Sequence, residues 1–216
     1  MGRVIVLLMM AVGAIGGCKP AMSPELLQQY QGRTLYTCCN IHHESSEFSD
    51  ANYYVGGMVP LGSPVQVQSV DRGAVTILAD GQQVSLRQRY GTAQETAQQY
   101  IDKILVSEDP KVKLSSYSPS AQQAIKDGRV EAGMTRDQVI MAIGYPPTHR
   151  TASLSANEWT YWYNTWVTYR VQFDGSGKVS GLVGPQVPSR NQPVADDPPA
   201  AKPSKPVKKA APKKKR

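Results

Sequence analysis

Met134-Thr135-Arg136-Asp137-Gln138-Val139, with Ile140, Ile143, Gly144 and Pro146-Pro147 behind it, is the stretch on which the fold turns. Thr135 and Gln138 stand three apart, as a capping box requires, and Met134 and Val139 hold the two positions of a hydrophobic staple. Val139, Ile140 and Ile143 give this helix its buried side. Gly144 breaks it, and the two prolines forbid its continuation. Upstream, Ser118-Pro119 supply an N-cap and a proline at the first helical position, and Gly128 stands where that helix must stop. Downstream, apolar alternation predicts strands over 158–163, 167–173 and 178–183. Asn164-Thr165-Trp166 and Asp174-Gly175-Ser176-Gly177 turn one into the next. Helix, helix, strand, strand, strand is an α+β order, a two-layer sandwich with both helices on one face of an antiparallel sheet.

Five segments carry a family resemblance. They are Val130-Glu131-Ala132-Gly133-Met134-Thr135-Arg136-Asp137-Gln138-Val139, Ile143-Gly144-Tyr145-Pro146, Trp159-Thr160-Tyr161, Val171-Gln172-Phe173-Asp174 and Gly177-Lys178-Val179. In this order, over about residues 119–183, they resemble the BamE/SmpA small outer-membrane lipoprotein family. The resemblance implies a non-catalytic scaffold that steadies its partners in the outer-membrane β-barrel assembly machinery. Two features depart from the family: a β-rich domain between the lipid and the family-like domain, and a basic tail.

Strand periodicity sorts the aromatic residues. Trp159, Tyr161 and Tyr163 share one face with the set Val167, Tyr169, Val171 and Phe173, which must meet the helices. Trp162 then lies with Thr160, Arg170 and Gln172 on the open face, beside Trp166 in the turn. A Trp with an Arg on a polar sheet face has the composition of an interface hot spot. Trp162, Trp166 and Arg170 are therefore the candidate partner-binding residues, with cover by the N-terminal domain or a loop as the competing arrangement for Trp162.

The chain opens with Arg3, an apolar run from Val4, and then Ile15-Gly16-Gly17-Cys18. A basic start, a short apolar stretch and a small-residue site make a secretory signal peptide. About twelve apolar residues rise roughly 18 Å as a helix, short of the ~30 Å hydrocarbon core. Ile15-Gly16-Gly17-Cys18 resembles the lipobox of bacterial lipoproteins. That resemblance implies cleavage before Cys18, diacylglycerol on its sulfur and an N-acyl chain. An ordinary signal peptide with an incidental Cys is the alternative. Lys19, where the enterobacterial pattern places Asp for inner-membrane retention, implies the inner leaflet of the outer membrane. No other cofactor is expected.

Residues 34–90 read as a small β domain, behind a helical lead over 24–30. Strands are predicted at 34–41, 53–55, 65–70, 74–78 and 84–89, and Asp80-Gly81 is a strong hairpin turn. The three valines at 65, 67 and 70 cannot share one face, so the strand must twist or bulge near Ser69. Five short strands suggest a small barrel or a strongly bent sheet. Val59-Pro60-Leu61-Gly62-Ser63-Pro64-Val65-Gln66-Val67 resembles bacterial Src-homology-3-type barrels, which bind peptidoglycan or peptides or only pack. Thr92-Ala93-Gln94-Glu95 is the spelling of a second capping box, opening a helix whose stripe is Ala97, Tyr100, Ile101, Ile104 and Leu105. Asp109-Pro110 ends that element, and 111–117 reads as linker.

Cys38 and Cys39 are adjacent, and neighbours on a strand point to opposite faces, which disfavours a bond between them there. A vicinal bridge, an intermolecular bond and two small apolar side chains all fit the sequence. Cys38-Cys39 followed by His42-His43 matches no common zinc spacing, so no metal is expected.

The net charge of +7 belongs to the tail, where nine cations from Arg190 onward face only Asp196 and Asp197. Alternating Pro, Ala and Lys offers too little apolar surface to offset ordering entropy, so 186–216 is expected to be disordered. Lys208, Lys209, Lys213, Lys214, Lys215 and Arg216 are candidates for anionic surfaces, peptidoglycan or lipid phosphate; a spacer with no partner is the alternative. The export signal argues against nucleic acid. No metalloprotease, serine-hydrolase or nucleotide-loop pattern is present, and Gly175-Ser176-Gly177-Lys178 reads as a hairpin turn. The sequence is therefore read as no enzyme. The organisation is a signal (1–17), an anchored lead (18–33), the β domain (34–90), helix and linker (91–117), the α+β domain (118–185) and the tail (186–216).

Overall fold

The computed structural model describes residues 28–30, 32–71 and 74–184. The signal segment, Cys18 and the basic segment 186–216 lie outside them. The fold is α+β. In chain order come β1 (Leu35–Thr37), β2 (Ile41–His43), β3 (Glu47–Ser49), β4 (Gly57–Val59), β5 (Pro64–Asp71), β6 (Ala74–Ala79) and β7 (Gln82–Arg87). Then follow α1 (Ala97–Ile104), β8 (Leu105–Val106), α2 (Pro110–Ser115), α3 (Pro119–Lys126), α4 (Arg136–Ile143), β9 (Glu158–Trp162), β10 (Thr168–Phe173) and β11 (Val179–Val183). No helix among the described residues is long and apolar enough to cross a membrane.

A curled, half-barrel sheet in the order β3-β7-β6-β5-β1-β8 forms the N-terminal half. The β6–β7 hairpin forms as its turn residues dictate: Asp80 and Gly81 have φ of 51° and 69°, as a type I′ turn demands. The bulge also sits as expected, the β5–β6 register slipping between Val67 and Ser69. Other expectations change. The strand expected over 34–41 is cut at Cys38, because Thr37 hands over to a bend and β2 pairs with β4 instead of continuing the sheet. Cys38 and Cys39 lie in that bend and are bonded to each other, so the strand geometry that disfavours such a bond does not apply. Residues 53–55 form no strand of this sheet; Tyr53 bridges Trp162 instead.

The helix after the sheet starts later than Thr92. Thr96 is its N-cap and Gln99 completes the box, an equally good spelling that buries Tyr100, Ile101 and Ile104. The Glu95 carboxylate goes to Lys103 at 2.5 Å. Leu105 leaves the helix to enter β8 beside β1. Asp109-Pro110 opens an element where an end was expected: Asp109 caps α2, with Pro110 in its first turn.

Between 118 and 183 the elements fall as the caps and turns indicate. Ser118 accepts from the Ala121 amide, and Thr135 and Gln138 exchange both capping-box bonds. The sheet order is β11-β10-β9, antiparallel throughout. Trp159, Tyr161, Tyr169, Val171 and Phe173 are buried with Ile125, Val139, Ala142 and Ile143 in one core. Gly175-Ser176-Gly177-Lys178 forms the expected turn, in which Asp174 Oδ1 accepts from the Ser176 and Lys178 amides at 2.9 and 3.0 Å.

Two buried asparagines from the N-terminal half close the helix ends of the C-terminal half. Asn40 Nδ2 donates to the Ile125 and Ala142 carbonyls at 2.6 and 2.9 Å, and its Oδ1 accepts from the Leu61 amide. Asn52 Nδ2 donates to the Ile143 and Tyr145 carbonyls at 2.8 and 2.9 Å. The last carbonyls of a helix have no partner within it, and these amides supply one from outside. A Cβ on Gly144, which has φ +80°, would meet Asn52 Nδ2 at 2.9 Å, so glycine is required there both for conformation and for space.

Candidate interaction surface

The β9–β10 register sets Trp162 opposite Thr168, Thr160 opposite Arg170, and Glu158 opposite Gln172. Alternation buries Trp159 and Tyr161 and leaves Thr160 and Trp162 half-buried on the far face. The turn that follows is pinned by Asn164, whose Oδ1 accepts from the Trp166 and Val167 amides at 2.9 and 3.0 Å. Trp166 stands out from it at 87% exposure.

Arg170 is exposed on this face, but its guanidinium goes to Glu158 at 3.4 Å, while Gln172 donates to the other carboxylate oxygen at 3.1 Å. The cation beside Trp162 is Arg150, its guanidinium 5.0 Å from the ring centre. Pro147 builds the turn that brings it there, its carbonyl accepting from the Arg150 and Thr151 amides, both at 2.9 Å. Thr151 Oγ1 then accepts from the Thr160 amide at 3.1 Å, fastening the loop along β9.

The other side of Trp162 is supplied from over a hundred residues away. The Tyr54 amide donates to the Trp162 carbonyl at 3.1 Å, and the Val55 amide to that of Tyr163 at 3.3 Å. Tyr53 therefore runs beside Trp162. Its hydroxyl lies 3.4 Å from that of Tyr90, which is 49% exposed, and the Tyr90 ring is 5.5 Å from that of His149. Tyr90 is held by the buried Asp50 carboxylate, which accepts from the Arg89, Tyr90 and Gly91 amides at 2.8, 3.0 and 2.5 Å. Alongside, Arg89 grips Glu47 through two nitrogens at 2.6 and 2.7 Å, holding that carboxyl below its usual range.

Burial, then the hydrogen bond with Tyr90, push the Tyr53 phenol up to about 12. Burial also pushes the His149 imidazole down, with Asp50 opposing and Arg150 reinforcing, so the ring is neutral at pH 7. The surface is a row of uncharged aromatics (Tyr90, Tyr53, Trp162 and Trp166) with one guanidinium laid across it. Such a row offers stacking, phenol hydrogen bonds and a cation held over an indole ring.

No local spacing in the sequence connects Tyr53, Tyr90, His149 or Arg150 with Trp162. Of the other singled-out residues, His43 Nε2 lies 2.8 Å from Gln82, and His42 is buried against the Tyr54 ring at 4.9 Å. Among the described residues no three His, Cys, Asp or Glu are grouped to hold a metal. Cys18 and the cations Lys208, Lys209, Lys213, Lys214, Lys215 and Arg216 lie outside the described residues. Comparison with protein-family models, curated proteins and solved structures finds no match for the chain.

Proposed function

We propose that this chain is an outer-membrane lipoprotein, anchored through Cys18 at the periplasmic face, that acts as a non-catalytic scaffold or assembly factor for envelope and outer-membrane proteins. The observation that carries the reading is the row Tyr90, Tyr53, Trp162 and Trp166, built by contributions from both halves and ending in an 87% exposed Trp. Exposed Trp and Tyr with Arg is the composition that dominates binding energy at protein interfaces. The lipobox-like Ile15-Gly16-Gly17-Cys18, Lys19 and the BamE-like order of segments over 119–183 support the same reading. On it, the finer architecture is a barrel-like β domain followed by a two-layer sandwich.

The test is photo-crosslinking in intact cells, with the photoreactive group at position 166 and, as control, at exposed Lys126. A discrete adduct with an envelope protein from 166, weakened by Trp162→Ala and absent from 126, is the expected result. Equal, diffuse labelling from both positions counts against it. A second reading, a clamp on peptidoglycan or anionic lipid through the β domain and the six terminal cations, is favoured by the net charge of +7 that the tail alone carries. Capture on peptidoglycan that disappears with rising salt distinguishes it.

A further inference from the structure

On a different part of the molecule from the aromatic row, two concavities share Val106 and Tyr145 and join into one trough. One, about 660 Å³, lies against α2 and α4; the other, about 500 Å³, lies against α1. Its floor is apolar, with Val106, Ile140, Met141 and Tyr145, and at its edge Val112 is 74% exposed, adding to that apolar area.

The rim is acidic. Glu108, Asp109 and Asp137 line one part, and Glu95 and Asp102 the other. The two lining cations are already matched, Lys103 with Glu95 at 2.5 Å and Lys113 with Asp137 at 2.7 Å. Asp102 accepts from neutral donors, Tyr30 at 3.2 Å and Gln98 at 2.7 Å, and Asp109 from the Lys111 amide at 2.9 Å. Among the described residues Asp102, Glu108 and Asp109 are thus in no ion pair around an apolar floor.

We propose that the chain's own segment 186–216 docks in this trough. Its chemistry is complementary beyond Asp196-Asp197: Pro, Ala and Val207 for the floor, and Lys at short intervals for the rim. Pro-rich segments enter aromatic-floored grooves at low entropic cost, because their extended helix is pre-formed. Length is no obstacle. The chain runs 32 residues beyond Gly184, roughly 100 Å in that conformation, against a body about 40 Å across. Tethering holds the segment at a millimolar-range effective concentration, so weak contacts suffice. Docked, the lysines are withheld from external polyanions; a competing anionic surface releases them.

Full-length lipoprotein in neutral detergent, coupled with a zero-length carbodiimide and peptide-mapped, provides the test. Links from Lys208, Lys209 and Lys213–Lys215 should concentrate on Asp102, Glu108 and Asp109, with a yield independent of protein concentration. That yield should fall about fivefold from 50 to 500 mM salt, as the screening length drops from roughly 14 to 4 Å. Glu108→Lys, at an exposed position, should cut the links to Asp102 and Asp109 about threefold without moving the thermal transition. Links spread evenly over Asp71, Asp80 and Asp174, outside the trough, overturn the proposal. So do links that form only as protein concentration rises, which would come from a second copy's tail.

Discussion

Residues 118–183 and residues 34–106 differ in how far along the chain each strand must reach for its neighbour. In the first, β9, β10 and β11 pair in sequence order across tight turns, and both helices carry their own N-caps. In the second, β1 sits between β5 and β8, so residues 35–37 depend on 64–65 on one side and 105–106 on the other. β3 pairs in parallel with β7, Glu47 against Ser85. Local pairing lets each element be nearly stable in its own context, whereas distant pairing makes a three-residue strand a consequence of the finished fold. The C-terminal half is nonetheless not self-sufficient. Its helices end on carbonyls that Asn40 and Asn52 close, and its outer strand β9 is extended by residues 53–55.

Substitutions can separate these dependencies. Trp159→Ala, at a fully buried ring 4.7 Å from that of Phe173, should cost about 4 kcal/mol in denaturant unfolding. A loss under 1 kcal/mol would mean that the core of 118–183 is loose. Asn40→Ala takes the partner shown from the Ala142 carbonyl and the Leu61 amide and leaves the Ile125 carbonyl only the Gly128 amide, a loss of about 3 kcal/mol, with both halves unfolding together. Were the halves independent, a probe on Trp159 would not register the change. Thr135→Ala removes one local cap and should cost about 1 kcal/mol.

A smaller effect follows from pH. The His149 imidazole titrates below its ordinary value in the folded chain. The folded state therefore binds fewer protons than the unfolded one, and the contribution is present above pH 6.5 and lost as pH falls toward the folded value. Midpoints measured between pH 7.5 and 5 should decline, and His149→Gln should flatten that part of the decline. Trp166→Ala should move stability by no more than about 0.5 kcal/mol, because the side chain is almost wholly in solvent. Its effect belongs to partner capture.

The same difference in range sets what the sequence reveals. Thr135, Gln138, Gly144 and Asp80-Gly81 act within four residues of themselves, so their consequences can be read directly. Thr92 and Thr96 show the limit of that reading: both spell a cap ahead of the same stripe of Tyr100, Ile101 and Ile104, and local spacing does not choose between them. At the candidate surface, periodicity places Trp162, Trp166 and Arg170 on their strand faces and turn. It contains nothing about Arg150 arriving over Trp162, or about Tyr53 lying beside it, since both depend on the packing of distant segments. The pairing of Arg170 with Glu158 is a cross-strand neighbour effect that becomes visible only once the register is known.

The scaffold reading stands or falls with the anchor at Cys18, and fractionation of cells carrying the wild-type chain and Cys18→Ala tests it most directly. Acyl chains contribute about 0.8 kcal/mol per buried methylene. The wild-type chain should therefore sediment with the outer membrane and carry metabolically labelled lipid, and the variant should lose the label and leave that fraction. A wild-type chain recovered free of membrane, with an unmodified thiol at position 18, would contradict the account.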